Sequence, residues 1–300
     1  MAIVTSVDGL VGSTPVFSFA ERGAEVLVKL ESFNPGGSIK DRAVLAIIEQ
    51  AEASGALQPG GVIVEPTSGN MGVALAMIGV SRGYRVIIVM PDTMTLERRK
   101  LITAFGGELV LTEGAQRMTG AMQKAEELAG SIPGAFMPRQ FENPANPAAN
   151  EATGREILKD TEGRLDAFVA GIGTGGSFTG TVRALKKELP SILCAALEPA
   201  ESAVISGEHP GPHGIQGIGS GFIPKNFDRS LTDRVIPVPT SAAMTTACWF
   251  TKTFGILAGI SSGAAVYAAR RLARELGPGK RVLCLAPDTG ERYLSVLYTK

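Results

Sequence analysis

Residues 167–180 read AFVAGIGTGGSFTG, from Ala167 to Gly180. The opening run is apolar throughout, as expected for a strand of a parallel sheet that is covered on both faces. Five glycines follow in the ten residues from Gly171, and glycine lets backbone amides wrap a phosphate where a helix begins. The stretch therefore predicts a strand, a phosphate-binding loop and a helix, which is the repeating unit of an α/β fold.

The glycine loop leaves open which phosphate it binds. Gly171, Gly173 and Gly176 match the G-x-G-x-x-G fingerprint of dinucleotide-binding proteins, and Glu198 lies at about the expected distance downstream. A single match of this kind is weak evidence. The loop by itself indicates a phosphate group, and a nicotinamide-dependent dehydrogenase remains one interpretation of it.

Short apolar runs alternate with longer helical patterns along the chain, a rhythm that predicts doubly wound, mostly parallel sheets. The predicted strands are Val62–Val64, Arg85–Met90, Glu108–Leu111, Ala167–Ala170, Ile192–Leu197, Val235–Val238 and Arg281–Leu285. The predicted helices are Ile39–Ser54, Met71–Arg82, Leu96–Phe105, Thr119–Leu128, Ser241–Phe254 and Ala264–Leu276.

A chain of 300 residues favours two lobes, because a single core rarely grows past about 250–300 residues. A Pro- and Asn-rich stretch at residues 142–150 interrupts the rhythm near the middle. We expect an N-terminal lobe over residues 1–145, with residues 13–34 crossing to the other lobe, and a C-terminal lobe over residues 146–300. Ligands are expected in the crevice between the lobes, at the carboxyl ends of the strands.

Composition argues against several classes of function. Lys and Arg together number 29, as do Asp and Glu, so charge gives no reason to expect a nucleic acid or an anionic membrane as partner. The sequence has no apolar run of about 18 residues and no signal-peptide pattern, so we expect a soluble, cytoplasmic protein. Cys194, Cys248 and Cys284 lie in apolar stretches, which is typical of buried, reduced thiols. With two histidines and no C-x-x-C motif, we expect no metal site.

The segment NPGGSIKDR, residues 34–42, reads as a turn that leads into a helix. Ser38 is a suitable N-cap, and Asp41 can close a capping box with it. Lys40 then lies in the first helical turn, where the helix dipole disfavours a positive charge. The motif is compatible with a solvated lysine, and equally with a lysine of lowered pKa that is suited to forming an imine.

The segment EPTSGNMG, residues 65–72, follows a predicted strand and precedes a helix. Thr67, Ser68 and Asn70 place hydroxyls, an amide and bare backbone N–H groups at the helix start. Such a loop can hold an anion, for instance a substrate carboxylate. Two further segments look like turns. GISSG, residues 259–263, precedes a predicted helix, and PDTGER, residues 287–292, follows a predicted strand. Each of these two could be an ordinary turn.

In this order, NPGGSIKDR, PTSGN, QFENPANP, GIGTGGS, GIQGIGSGFIP and GISSGAA resemble the segments of the cysteine synthase (O-acetylserine sulfhydrylase) family of pyridoxal-phosphate enzymes. The resemblance runs from Gly12 to Tyr293. It implies the fold type II of these enzymes, shared with the tryptophan synthase β subunit, with two α/β lobes and pyridoxal 5'-phosphate in the cleft between them. It also argues against the dinucleotide interpretation of the glycine loop, which remains only as a minor alternative.

The resemblance implies roles for single residues. Lys40 would form the Schiff base with the cofactor and later move the substrate Cα proton, and Asn70 would hydrogen-bond the ring hydroxyl oxygen. Ser261, with Ser262 as the weaker candidate, would face the pyridine nitrogen, where a neutral hydroxyl makes a mild electron sink. The cofactor phosphate would be held by Gly173, Thr174, Gly175, Gly176 and Ser177. The substrate α-carboxylate would be gripped by Thr67, Ser68 and Gln140, which would close the smaller lobe.

The implied reaction is a β-replacement in two halves. O-acetyl-L-serine would lose acetate to leave an aminoacrylate, and sulfide would add to give L-cysteine. A homodimer is the usual assembly in this family. Some relatives also bind the C-terminal tail of serine acetyltransferase.

Some positions depart from the family pattern. Met71 stands in the substrate-binding loop where the family usually has a threonine that helps to hold the carboxylate, and methionine donates no hydrogen bond. Gly214 and Asn150 stand where Lys and His are common, and Ser177 replaces a threonine but keeps the hydroxyl. Residues 214–224 contain no arginine, which favours an uncharged leaving group such as acetate over phosphate.

Two alternatives besides the dehydrogenase stay open. The first is a related β-replacement or elimination, of the cystathionine β-synthase, lanthionine synthase or cysteine desulfhydrase type. Met71 is the departure from the family pattern that supports this alternative. The second is a catalytically weak member that acts as a regulatory binding partner, against which the intact Lys40 argues.

Overall fold

The computed structural model describes residues 3–67 and 69–298. Its strands are β1 (Val16–Glu21), β2 (Ala24–Leu30), β3 (Val62–Pro66), β4 (Arg85–Pro91), β5 (Glu108–Thr112), β6 (Ala167–Gly171), β7 (Leu193–Pro199), β8 (Arg234–Val238) and β9 (Arg281–Ala286). Its α-helices are α1 (Lys40–Ala53), α2 (Asn70–Ser81), α3 (Leu96–Ala104), α4 (Arg117–Ser131), α5 (Ala145–Thr161), α6 (Gly176–Glu188), α7 (Thr240–Phe254), α8 (Ile260–Leu276) and α9 (Leu294–Leu297).

The described residues divide into two compact units. The first unit holds the described residues up to Val11 together with Lys40–Ala145, and the second holds Gly12–Ile39 together with those from Asn146 onward. None of the helices formed by residues 3–67 and 69–298 is long and apolar enough to cross a membrane.

The first unit has helices on both faces of a parallel sheet. Its described residues form the strand order β3-β4-β5. Alternate side chains face opposite sides, so that Ile63 and Ile88 lie in a core with α1, α2 and α3, whereas Val64 and Ile87 pack against α4. Because both faces are covered, the strands are apolar without alternation.

The second unit repeats this plan on a larger sheet. Its described residues form the order β1-β2-β9-β6-β7-β8, in which β1 and β2 are antiparallel and the other neighbours are parallel. Val169 and Cys284 face a core with α7 and α8, whereas Phe168 and Leu283 face a core with α5 and α6. The predicted doubly wound, mostly parallel α/β architecture is confirmed, and each predicted strand is present with its ends moved by at most two residues.

Helix α8 begins earlier than the predicted Ala264. Gly259 is the N-cap, and Ser261, Ser262 and Gly263 form part of the first helical turn. Ser262 hydrogen-bonds outside the helix, to the Asp288 carbonyl oxygen, so it does not compete with the helix backbone as serines often do. The GISSG segment is therefore the start of the helix and not a turn before it.

The Pro- and Asn-rich stretch at residues 142–150 is only partly irregular, because α5 begins inside it. The Asn143 side chain accepts a hydrogen bond from the Ala145 N–H at 3.0 Å, which satisfies an N–H group at the helix start. Pro147 falls in the first turn, where a helix does not need its N–H. The division between the units lies between Ala145 and Asn146.

The hairpin of β1 and β2 was not among the predicted strands. Arg22 and Gly23 form its two-residue turn, with φ angles of 50° and 85°. Two positive φ angles are the mark of a type I′ turn, which usually has Asn or Asp at its first position. Because arginine stands at that position, the sequence does not indicate the turn.

A buried ion cluster fixes this hairpin to α5 within the second unit. Lys29 on β2 is completely buried, and its ammonium lies 3.0 Å from Glu156 and 2.9 Å from Asp160. It also donates a hydrogen bond to the Thr14 carbonyl oxygen at 2.6 Å. Since an ammonium is tolerated in a core only when it is paired and hydrogen-bonded, these contacts determine how β2 lies on α5.

We expect Lys29→Met to lower the free energy of unfolding by about 2–3 kcal/mol, because two carboxylates lose their counter-ion. The control is Arg85→Met, whose ion pair with Glu108 is about half exposed on both sides and should be worth less than about 1 kcal/mol. Urea unfolding of both variants measures the difference. Equal, small losses would show that the cluster does not stabilise the second unit.

Candidate active site

The loop after β6 presents backbone amides at the start of α6. Gly175 precedes the helix with a φ angle of 84° and gives it no side-chain cap. A helix also leaves its first N–H groups without intrahelical acceptors. The amides of Gly176 and Ser177 are therefore available to an anion, and the helix dipole favours one there.

Close packing behind the loop requires glycine. A Cβ on Gly175 would lie 2.5 Å from the Phe227 nitrogen, and one on Gly176 would overlap Asn146 Oδ1. Asn146 Nδ2 also donates a hydrogen bond to the Thr174 hydroxyl oxygen at 2.9 Å, which leaves the hydroxyl proton for a ligand. The loop is thus a cradle of bare amides with one positioned hydroxyl.

A turn over residues 213–219 lies against this loop. His213 Nδ1 accepts a hydrogen bond from the Ile215 N–H at 3.3 Å, and Nε2 lies 2.9 Å from the Gly219 carbonyl oxygen. The two ring nitrogens of His213 thus contact the backbone at both ends of this turn. The turn brings Gly217 so close to Gly173 that a Cβ on Gly173 would overlap the Gly217 carbonyl oxygen.

The first turn of α8 supplies two serines with different surroundings. Ser262 is completely buried and donates its hydroxyl to the Asp288 carbonyl oxygen at 3.0 Å. The Ser261 hydroxyl has no hydrogen-bond partner among residues 3–67 and 69–298, and it lies 3.7 Å from where a Cβ on Gly217 would be. Of the two serines, Ser261 is the one that can bind a ligand.

The backbone that leads to Lys40 is held by the loop after β9. The Ile39 N–H donates to the Pro287 carbonyl oxygen at 2.9 Å, and the Arg292 guanidinium donates to the Gly36 carbonyl oxygen. Lys40 itself is half-buried and is the first residue of α1.

Ser38 lies two residues before the first residue of α1. It pairs with Asp288 in an isolated antiparallel bridge, and α1 begins two residues later, at Lys40. The bridge to the loop after β9 thus fixes the backbone of Ser38 just before the helix, and the capping box with Asp41 stays a prediction.

In the first unit, the predicted anion-binding loop lies at the carboxyl end of β3. The Thr67 N–H donates to the Val89 carbonyl oxygen at 3.0 Å, and the Gly69 N–H donates to Thr67 Oγ1 at 3.3 Å. Asn70 is half-buried and is the first residue of α2. Ser68, predicted to contact the substrate, lies outside the described residues.

Met71 lies in the core of the first unit. Its side chain is 1% exposed and belongs to the cluster of α1, α2 and α3. The residue that replaces the family threonine therefore contributes packing to this core.

Gln140 is held near this loop through Glu65, a residue to which the sequence assigned no role. The Glu65 carboxylate accepts hydrogen bonds from the backbone N–H groups of Arg139 at 3.2 Å and Gln140 at 3.5 Å. Burial raises the pKa of Glu65 to about 7, although both amides and the Arg139 charge oppose the rise. A lone acidic residue in the apolar strand VIVEP was the available signal, since a buried carboxylate needs partners.

Glu198, the acidic residue of the dinucleotide interpretation, is already engaged. Its carboxylate accepts hydrogen bonds from the Ile205 N–H at 2.7 Å, and from the Ser206 N–H at 3.0 Å and hydroxyl at 2.6 Å. With both oxygens occupied by this loop, it is not presented to a ribose. The structure thus gives the dehydrogenase alternative no acidic partner at this position.

The buried thiols are poor nucleophiles. Burial raises the pKa of Cys194 to about 12 and that of Cys284 further, so neither forms a thiolate at neutral pH. In the part of the chain that the structure describes, no group of three His, Cys, Asp or Glu side chains is placed to bind a metal.

Known proteins match this chain over nearly its whole length. A family model described as pyridoxal-phosphate dependent enzyme matches residues 7–288. A cysteine synthase of Staphylococcus aureus (strain N315) is 50% identical over 298 residues, which cover 97% of this chain and 96% of the relative. The crystal structure of a cysteine synthase from Entamoeba histolytica has a TM-score of 0.96 at 42% identity, covering 100% of this chain and 92% of that one. The crystal structure of an O-ureido-L-serine synthase has a TM-score of 0.95 at 45% identity, covering 98% and 95%.

The residues present fit the cofactor of this family. The glycine loop forms an amide cradle for a phosphate, the Ser261 hydroxyl has no hydrogen-bond partner among the described residues, and a lysine begins α1. The resemblance inferred from the motifs is confirmed, as are the fold type and the cofactor. The chain belongs to the pyridoxal-phosphate-dependent enzymes of fold type II, and it groups there with the cysteine synthases.

Proposed function

We propose that this chain is a cysteine synthase that converts O-acetyl-L-serine and sulfide into L-cysteine and acetate. The observation that carries the proposal is the neutral hydroxyl of Ser261, which lies beside the Gly217 turn and has no hydrogen-bond partner among the described residues. A neutral partner for the cofactor nitrogen suits a short-lived charge at Cα, as in β-elimination of a good leaving group. The full-length similarity to cysteine synthases supports the same reaction.

We assign the cofactor contacts as the family resemblance implies them. Pyridoxal phosphate, when bound, supplies an electron sink for the charge that develops at the substrate Cα. Lys40 would hold it covalently through Nζ, Asn70 would bind the ring hydroxyl oxygen, and Ser261 would face the ring nitrogen. The phosphate would be bound by Gly173, Thr174, Gly175, Gly176 and Ser177.

Lys40 is also the group that moves the proton. Its Nζ, freed when the substrate amine takes its place, would take the proton from the substrate Cα while acetate leaves Cβ with the bonding electrons. Hydrosulfide then adds to Cβ, and Lys40 returns the proton to Cα. One side chain can serve both halves because the proton leaves and returns at the same carbon.

The carboxylate of the substrate is assigned to the Thr67 loop and Gln140. Thr67 and Gln140 are both buried side chains of the first unit, and Ser68 is the third donor that the resemblance implies. Met71 contributes no hydrogen bond, so the remaining donors and the backbone at the start of α2 carry the contact.

A related β-replacement is the second candidate. It is favoured by Met71 and by the 45% identity to a protein named O-ureido-L-serine synthase, since this fold accommodates more than one nucleophile. The absence of arginine from residues 214–224 favours acetate over phosphate as the leaving group in either reaction.

We further propose, from the family resemblance, that the chain acts in the cytoplasm, forms a homodimer and can bind the C-terminal tail of a serine acetyltransferase. Light scattering of the purified protein should give twice the mass of the chain. A monomer mass at every concentration would refute the dimer.

Replacing Lys40 should test its covalent and proton-transfer roles, with Lys40→Arg showing that a positive charge alone does not suffice. We expect both Lys40→Ala and Lys40→Arg to lose roughly 10²–10⁴-fold in activity, because neither can hold the cofactor covalently and return the proton. The wild-type absorbance of the bound cofactor should shift on addition of O-acetyl-L-serine and return on addition of sulfide. If the band shifts but sulfide fails where another nucleophile restores it, the second candidate is favoured. If O-acetyl-L-serine leaves the band unchanged, the proposed donor is wrong.

Replacing Gly175 should test the phosphate cradle. We expect Gly175→Ala to weaken pyridoxal-phosphate binding at least about tenfold, since the methyl group displaces Phe227 and the loop amides with it. The control is Gly163→Ala, which has a similar positive φ angle of 67° but no neighbour within 4 Å, so it should cost about 1 kcal/mol of stability without changing cofactor affinity. Titration of the apoproteins by absorbance measures both, and equal affinities would argue against the cradle.

A further inference from the structure

Glu65 is a carboxylate in an unfavourable place. It stands near the end of β3, is 2% exposed, and is the one charged residue of the strand VIVEP. Burial of a carboxylate is costly unless hydrogen bonds compensate. The roles assigned so far to the cofactor and substrate contacts do not use this residue.

The partners of Glu65 belong to a turn that needs support. Arg139 has a φ angle of 51°, a left-handed conformation that is strained for a residue with a side chain. Its carbonyl oxygen accepts hydrogen bonds from the N–H groups of Glu142 at 2.9 Å and Asn143 at 3.0 Å. On the other side, the Glu65 carboxylate accepts from the N–H groups of Arg139 and Gln140, one for each oxygen. The turn is therefore held from both sides.

The same carboxylate links two parts of the proposed carboxylate site. Glu65 lies two residues before Thr67, whose N–H is fixed to Val89 on β4. Gln140 lies in the turn that Glu65 holds, and Thr67 and Gln140 are both buried. The hydrogen bonds to Glu65 therefore connect the turn that carries Gln140 to the strand end that leads into Thr67.

We propose that Glu65 is a positioning residue for the substrate α-carboxylate: it holds Gln140 against the Thr67 loop, and it does so more firmly when ionised. This inference rests on the proposed function. An ionised carboxylate accepts both amides through charge-assisted hydrogen bonds, whereas the protonated acid turns one oxygen into a hydroxyl that accepts poorly. The charged group that acts on Glu65 among the described residues is Arg139.

Deprotonation of Glu65 should raise the affinity for the substrate and lower the free energy of unfolding. Because burial raises its folded-state pKa from 4.5 to about 7, the protonated form is favoured by folding. Its contribution to stability is present below about pH 4.5 and is lost as the pH rises through about 7. Substrate affinity, in contrast, should increase over the same rise. A purely structural role would change both quantities in the same direction.

The variant Glu65→Gln tests the positioning role in the holoenzyme. At pH 8 we expect its KM for O-acetyl-L-serine to be about tenfold higher with kcat within about threefold, since a contact made equally in ground and transition states has been weakened. The control is Glu198→Gln, another buried carboxylate that accepts two backbone amides, at a strand end of the second unit. Its KM should stay within twofold of wild type. An equal rise in both variants would overturn the inference.

The pH profile supplies the second readout. We expect inhibition of the wild type by propionate, a carboxylate that stays ionised above about pH 6, to strengthen between pH 6 and 8. The profile of Glu65→Gln should be flat, and the thermal midpoint of the wild type should fall relative to this variant over the same range. If Glu65→Gln does not fold, the wild-type profile decides alone, and a flat one overturns the inference.

Failure of the inference is distinguishable from failure of the proposed function. If wild type makes cysteine and Gln140→Ala raises KM while Glu65→Gln does not, the function stands and the positioning role is wrong. If wild type does not turn over O-acetyl-L-serine at all, the function is wrong. The positioning role then falls with it.

Discussion

The arrangement of the second unit's motifs depends on how the loop after β9 holds the residues before α1. Asp288 is the centre of this loop: it bridges to Ser38 through the backbone, accepts the Ser262 hydroxyl at its carbonyl oxygen, and accepts the Tyr293 hydroxyl at its carboxylate at 2.6 Å. Three motifs that are far apart in the chain therefore meet at one residue. Because parallel strands end on the same edge of a sheet, the loop that follows the central strand β9 can reach its neighbours on both sides. Lys40 begins its helix directly after this fixed segment.

Much of the fold was predictable from the sequence because strands covered on both faces leave a plain signal. The runs around Ile63, Ile88 and Phe168 are apolar on consecutive positions, which only a doubly covered sheet requires. The hairpin at Arg22 was missed because its turn has the geometry of an Asn-Gly turn without that residue. The start of α8 was misplaced because Ser261 was read by its local preference, whereas contacts distant in sequence determine it.

In the site too, some residues could be located from local sequence patterns, whereas others depend on contacts between residues that are distant in the chain. The glycine loop and the helix start at Lys40 could be located from their residues alone. The choice between Ser261 and Ser262 rests on a hydrogen bond to Asp288 that no local pattern records. Glu65 left a signal, an acid in an apolar strand, but the amides that it holds are about 75 residues away in the chain. For Met71, the sequence showed that the residue departs from the family pattern, but it did not show that the side chain lies in the core of the first unit.

The burial of Cys194 and Cys284 has a consequence for an enzyme whose proposed product is itself a thiol. Sulfide and cysteine undergo exchange with disulfides and with oxidised sulfur, and that chemistry proceeds through the thiolate of whichever protein cysteine is attacked. Since burial keeps these two side chains protonated, they are poor nucleophiles toward disulfides. The hydrophobic cores on the two faces of the sheet thus keep these two positions from reacting with the disulfide that oxidation of the product would give.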